Sequence, residues 1–227
     1  VEIININARS KNFFTTDSEF QFYISVTIIV APKFIFMLVY KKEQGKFMSI
    51  RKVLKYGEKS LREPSKEVHK VSNKIKILVD DLLDTMYKEN GEPLNPIVFI
   101  NPKIIKKSGA CISHEGCLSF PEAFTDVKRY ANVMVKAIDR NGRSFVLEAK
   151  DGTLLARCIQ HEFDHLDGIL FIDHVINRFE ADEELSKHNL PPIQVEKILE
   201  EPELTEQVNE LKSRQIENEK KNKDSDK

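Results

Sequence analysis

An excess of charge of either sign is missing from this chain. Its 35 basic and 36 acidic residues leave a formal net charge of −1, which argues against a nucleic-acid-binding surface or a polybasic membrane patch. Cysteine is scarce. Cys111, Cys117 and Cys158 are an odd set that cannot all pair. That count fits a reduced cytosolic chain in which a cysteine serves as ligand or nucleophile, with pairing of two of them as the plainer alternative. No glycine-rich phosphate loop and no internal repeat occurs. The N-terminus lacks the basic start and small-residue cleavage site of a signal peptide.

What is present suits a core-forming protein. The 227 residues are 41% hydrophobic and 31% charged, enough for one domain with extensions. Three parts are expected. Residues 1–47 are asparagine-rich and then strongly apolar from Phe20 to Val39. The stretch 20–39 is about long enough to cross a bilayer. Pro32, Lys33 and the β-branched and aromatic composition weigh against spanning. Met48-Ser-Ile-Arg reads as an ordinary protein start, so 1–47 is expected to be an atypical extension, with a membrane anchor as the second reading. Residues 48–179 form the expected metal-binding domain. Residues 180–227 form a charged tail, part of it expected to be helical through Val208 and Leu211, with Glu217–Lys227 expected to be disordered.

Within 48–179 the pattern is regular. Ser72–Tyr87 is predicted to be an amphipathic helix, with Ser72 at its cap and Ile75, Leu78, Val79, Leu82, Leu83 and Met86 on one face. Pro96–Ile100 reads as a buried strand ending at Asn101-Pro102. Val133–Ile138 and Ser144–Ala149 flank Asp139-Arg-Asn-Gly, a hairpin signal because Asn-Gly tolerates positive φ. Leu154–Leu166 is predicted to be a second helix.

That second helix carries His161-Glu162-x-x-His165. Residues four apart share a helix face, so two imidazoles can close on one metal ion, and Glu162 sits where it can reach a water on that ion. The ion would lower the pKa of that water towards about 7 and the carboxylate would take its proton. HExxH alone is a short pattern, and two solvated histidines are its plain alternative. Here Leu154, Leu155 and Ile159 precede it and Leu166, Ile169, Leu170 and Phe171 follow. Buried imidazoles and a buried glutamate need partners, and a metal supplies them. A third protein ligand is required. Cys117, in Glu115-Gly-Cys-Leu-Ser-Phe-Pro, offers a thiolate, against the alternative of a buried structural cysteine.

Glu-Gly-Cys-Leu-Ser followed by Gln-His-Glu-x-Asp-His-Leu-x-Gly closely resembles the second and third signature motifs of bacterial peptide deformylases. The resemblance runs from about Met48 to Asp173 and includes Leu61-Arg62, Asp81–Met86 and Ile100-Asn-Pro. It implies an α+β fold, antiparallel strands wrapped around the central HExxH helix. It implies Cys117, His161 and His165 as ligands to Fe(II), with nickel, cobalt or zinc able to replace it. Glu162 is then the general base and Leu118 donates its backbone N–H to the developing oxyanion. The implied reaction removes the N-formyl group from the initiator methionine of nascent polypeptides and releases formate. The implied setting is the cytoplasm, with transient ribosome association. By position, Phe124 would line the methionine pocket, with an ordinary core aromatic as the alternative.

The family's first motif, Gly-x-Gly-Leu-Ala-Ala-x-Gln, is absent. The chain passes from Lys88-Glu-Asn-Gly91 through Glu92-Pro-Leu-Asn95 into Pro96–Ile100, so the motif and the strand after it are expected to be missing. The loss removes an oxyanion-holding glutamine and leaves neighbouring backbone groups unpaired. Gln160 is no substitute, because it belongs to the third motif. Two rival readings follow: a catalytically impaired deformylase-like binding module, and an HExxH zinc protease taking its third ligand from Glu180, Glu183 or Glu184. Cys158 and His174 are expected to be packing and surface residues, and Glu115 and Arg129 to support the second motif through partners the sequence does not name.

Overall fold

The computed structural model describes residues 26–30, 53–90, 96–193 and 201–225. The expected start at Met48, most of the apolar stretch 20–39 and the junction at 91–95 lie outside them. Four strands form one antiparallel sheet in the order β1 (Val26–Val30), β2 (Pro96–Cys117), β3 (Phe120–Ile138) and β4 (Ser144–Ala149). Strands β2 and β3 are far longer than the short runs predicted, because β2 bends rather than stops at Asn101-Pro102. There the ladder shifts between Ile100 and Lys103. Asn101 adopts φ 49°, and its side chain exchanges two 2.8 Å hydrogen bonds with the backbone of Val68. An asparagine tolerates the left-handed region, and its amide mimics a peptide partner at the bend. The β3–β4 hairpin closes as predicted. Gly142 has φ 82°, and the Asp139 carboxylate accepts 2.8 Å bonds from the Asn141 and Arg143 N–H groups.

The expectation of an uncovered strand edge is corrected by β1. Val26–Val30 pairs antiparallel with β2, from Val26 opposite Ile100 to Val30 opposite Pro96. Backbone groups that the missing strand would have left unpaired thus find partners in a segment from upstream of Met48.

Helix α1 spans Asn73–Asn90. The Ser72 carbonyl accepts the Lys76 N–H at 3.0 Å, placing Ser72 at the boundary. Ile75, Leu78, Val79 and Leu82 bury against Ile100. Helix α2 spans Leu154–Leu166, the limits predicted, and packs Ala156, Cys158, Ile159 and Phe163 against Phe99, Val133, Val135 and Ala149 of the sheet. It is therefore the central helix of an α+β fold, as expected. Gly168, with φ 71°, ends the turn beyond it. A Cβ there would stand 2.5 Å from the Arg62 carbonyl oxygen, so only glycine lets the Lys59–Arg62 turn approach the end of α2.

The tail holds the helix expected through Val208 and Leu211, running further than those residues. After α3 (Arg178–Lys187), helix α4 runs Pro202–Ser225, into the part expected to be disordered. Leu204 and Val208 are buried, Lys107 pairs with Glu201 at 3.1 Å, and Lys128 donates to Thr205 at 2.8 Å. Two apolar residues one turn apart, held by cations from the sheet, anchor a helix that its composition would leave in solvent. No helix among the described residues is long and apolar enough to cross a membrane.

Candidate metal centre

Helix α2 presents His161, Glu162 and His165 inward, each at 1% exposure or less. The sheet brings Cys117, the last residue of β2, to the same point. His161 Nε2 and His165 Nε2 lie 3.2 Å apart, and Cys117 Sγ is 3.6 Å from His165 Nε2. One donor atom from each of the three falls within a 4.8 Å span, the one such cluster among the described residues. Nitrogen ligands at ~2.0–2.1 Å and a sulfur at ~2.3 Å around a tetrahedral ion stand about 3.3–3.6 Å from one another. The donor set therefore fits a divalent cation in spacing and in type.

The buried electrostatics differ among these side chains. Both Glu162 carboxylate oxygens are buried without a hydrogen-bond partner. Burial raises the Glu162 pKa to about 7, against the pull of the two imidazoles. An orphaned carboxylate in an apolar shell is costly unless something is meant to meet it. Burial and the neighbouring His161 push His165 down to about 3, keeping its lone pair available. His161 goes the other way. Burial opposes its proton, but hydrogen bonds to Cys117 and Glu115 outweigh burial and raise it to about 10.

Around the cluster lies a buried charge network. Glu115 accepts from Arg129 Nε at 2.9 Å and Nη2 at 2.8 Å, and its Oε2 lies 2.9 Å from His161 Nδ1. Arg129 also donates to Asp164, and His174 Nε2 stands 2.9 Å from Asp164 Oδ2. Burial works against the ionised carboxylates, yet Arg129 holds Glu115 far below the usual range and Asp164 at about 2. Glu115 thus fixes the ring of His161 so that Nε2 faces the cluster. The sequence marked Glu115 and Arg129 without partners and missed Asp164. His174, expected at the surface, is buried instead. Only the neighbouring Asp164 in the HExDH motif could have signalled its role.

Other expectations resolve individually. Gln160 bonds the Tyr130 N–H at 2.9 Å and carbonyl at 2.8 Å, and the Ala156 carbonyl at 2.9 Å. Its amide is committed to structure. Phe124 is 51% exposed and stacks on His114 with ring centroids 5.9 Å apart. It covers Gly116, where a Cβ would meet the ring at 2.5 Å, so it caps the cysteine motif from outside and is no core aromatic. Cys158 is buried, with its thiol pushed up to about 12. No disulfide forms among the three cysteines. On α3, Glu184 pairs with Lys187 and His188, and neither it, Glu180 nor Glu183 joins the cluster. Leu118 begins the turn joining β2 to β3, so its N–H belongs to the peptide unit attached to Cys117.

A buried HExxH helix with a cysteine closing the donor set, framed by an antiparallel sheet, defines a metal-dependent hydrolase. The polypeptide deformylase family model matches residues 50–96 and 88–181. Its two pieces overlap over 88–96, where the first motif is expected. Peptide deformylase of Pseudoalteromonas translucida is 40% identical over 149 residues, covering 56% of this chain and 88% of that protein. Peptide deformylase 1 of Clostridium perfringens is 41% identical over 147 residues, covering 56% and 99%. Among solved structures, the Synechococcus elongatus peptide deformylase in complex with actinonin superposes with TM-score 0.56 at 36% identity, covering 62% of this chain and 91% of that one. The Plasmodium falciparum peptide deformylase complex with inhibitor gives 0.55 at 32%, covering 61% and 99%. The chain belongs to the polypeptide deformylase family.

Proposed function

We propose that this chain hydrolyses the formamide of N-formylmethionyl nascent peptides, with Cys117, His161 and His165 holding one Fe(II) ion and Glu162 moving the proton. The observation that carries the reading is Glu162: a buried carboxylate with no hydrogen-bond partner for either oxygen, beside three converging donor atoms. A general base must lie within reach of the proton it takes. When bound, the ion supplies Lewis-acid chemistry, drawing electron density from the formyl carbonyl and from the attacking water. Glu162 takes the proton of that water as it adds to the formyl carbon. The backbone N–H of Leu118 donates to the oxygen on which negative charge collects. Glu162 then returns the proton to the peptide nitrogen as the C–N bond breaks, leaving formate and a free amine. Glu115 holds His161 in the required tautomer throughout. A thiolate with two imidazoles also accepts nickel, cobalt or zinc, and the family resemblance favours ferrous iron.

The reading is tested by formate release from formyl-Met-Ala-Ser by anaerobically purified, iron- or nickel-loaded protein, with Glu162→Ala as the blank. Turnover that vanishes in Glu162→Ala is expected. Without the glutamine of the first motif, the rate should fall about 10²–10³ below that of a relative that has it, the usual cost of one oxyanion donor. No turnover from protein carrying one bound metal per chain would sink the catalytic reading. This substrate class supports the expectation of a cytoplasmic setting and transient contact with ribosomes.

A further inference from the structure

The sulfur of Cys117 has a supporting partner that the metal cluster alone does not explain. The buried Ser119 N–H donates to Cys117 Sγ at 3.4 Å. The carbonyl of the same peptide unit, that of Leu118, accepts the Lys55 ammonium at 2.8 Å. One residue on, the Ser119 carbonyl accepts the Tyr56 N–H at 2.8 Å. Consecutive residues 55 and 56 therefore hold both carbonyls flanking Ser119, which fixes the direction of its N–H.

We propose that Lys55 is a positioning residue for the Cys117 sulfur, acting through the Leu118–Ser119 peptide. A cation on a peptide oxygen draws electron density towards that oxygen and makes the N–H at the other end a stronger donor. Here that N–H points at the sulfur. A thiolate accepting a stronger hydrogen bond gives less charge to its ion and leaves the ion a better Lewis acid. Lys55 is placed for this by its neighbours. Its own N–H donates to Glu58 Oε1 at 2.9 Å, and Tyr56 stacks on Phe120 with centroids 4.4 Å apart. The ammonium is exposed while the donor it polarises is buried. Salt therefore screens the charge partly, but nothing competes for the N–H. The inference rests on the reading of Cys117 as a ligand.

The test uses the full chain loaded with Co(II), reading the sulfur-to-cobalt charge-transfer absorption and the rate of cobalt loss to a chelator. Lys55→Met should move the band to longer wavelength, because a sulfur with a weaker donor gives up its electrons more readily. Cobalt loss should slow by about tenfold, because the same sulfur then gives more charge to the ion and holds it more tightly, at the low end of the scale on which outer-sphere partners act. Lys55→Arg should restore both. An unchanged band and release rate in Lys55→Met would overturn the proposal, as would a shift that Lys55→Arg fails to reverse, which assigns the effect to packing. If the parent protein shows no sulfur band at all, the ligand reading of Cys117 falls, and this inference with it.

Discussion

Glu115 and Arg129 show at the scale of single residues how much depends on groups outside the ligand set. Glu115 meets two donors of Arg129 and one nitrogen of His161 from a fully buried position. Glu115→Ala leaves a buried guanidinium with one carboxylate partner fewer and a ligand ring free to turn. Stability should drop by about 3–5 kcal/mol, read by denaturant unfolding, and metal affinity by about 10–100-fold, read by competition with a chelator. A variant that unfolds like the parent and keeps its metal would contradict the network's role. The same network sets the acid limit. Asp164 and Glu115 both have depressed folded-state pKa values. Their contribution is therefore present above the unfolded carboxylate range of about 4 and drains as pH falls towards 2. For Asp164 alone, lowered from 3.8 to about 2, the linkage amounts to about 2 kcal/mol. Asp164→Asn should flatten the stability profile between about pH 4 and 2, as followed by unfolding across that window.

Among the elements, the β1 strand has the clearest consequence. Its partner segment Pro96–Ile100 holds Phe99 and Ile100 in the core, against α2 and α1 respectively. Losing β1 would therefore expose backbone directly behind the metal helix. Successive N–H groups of a strand point to opposite sides, so one of Thr27 and Ile28 must face β2. Thr27→Pro together with Ile28→Pro removes that donor whichever it is. Amide exchange should quicken at whichever pair faces β1, Val98 and Ile100 or Ile97 and Phe99, and the melting temperature should fall. Unchanged protection at all four positions would show that the pairing does not persist in solution. Among its described side chains, those of α4 that are buried or bonded to the sheet lie in its first turns, Leu204, Thr205 and Val208, with Glu201 just before it.

Across the whole molecule, that anchoring separates two roles of the tail. Removing residues 213–227 leaves Leu204 and Val208 in place, so the fold and bound metal should survive. If the charged outer part of α4 mediates ribosome contact, co-sedimentation with ribosomes should be lost in this truncation alone. Unchanged co-sedimentation would reject that contact. The family match covers most of the relatives' length, with its break at the first motif. On the proposed function, the chain keeps Cys117 and the HExxH side chains and lacks the glutamine motif. Slower turnover at an intact metal centre is the expected outcome of that arrangement.

The sequence by itself determined whatever depends on local periodicity and local chemistry. The α2 limits, the Asn-Gly hairpin, the HExxH face and the cysteine motif were legible because each is written within a few turns of chain. The identity of the candidate ligands followed from spacing and resemblance. Tertiary structure decided what depends on residues far apart. Glu115 meets His161 across 46 positions and Lys55 meets Leu118 across 63, separations that no periodicity records. The seat of Val26–Val30 beside Pro96–Ile100 arose in the same way, because an unpaired sheet edge accepts any strand that reaches it in register. The order of α4 did too: its composition is that of a solvated tail, and only the sheet beneath it supplies the apolar and charged partners that hold it.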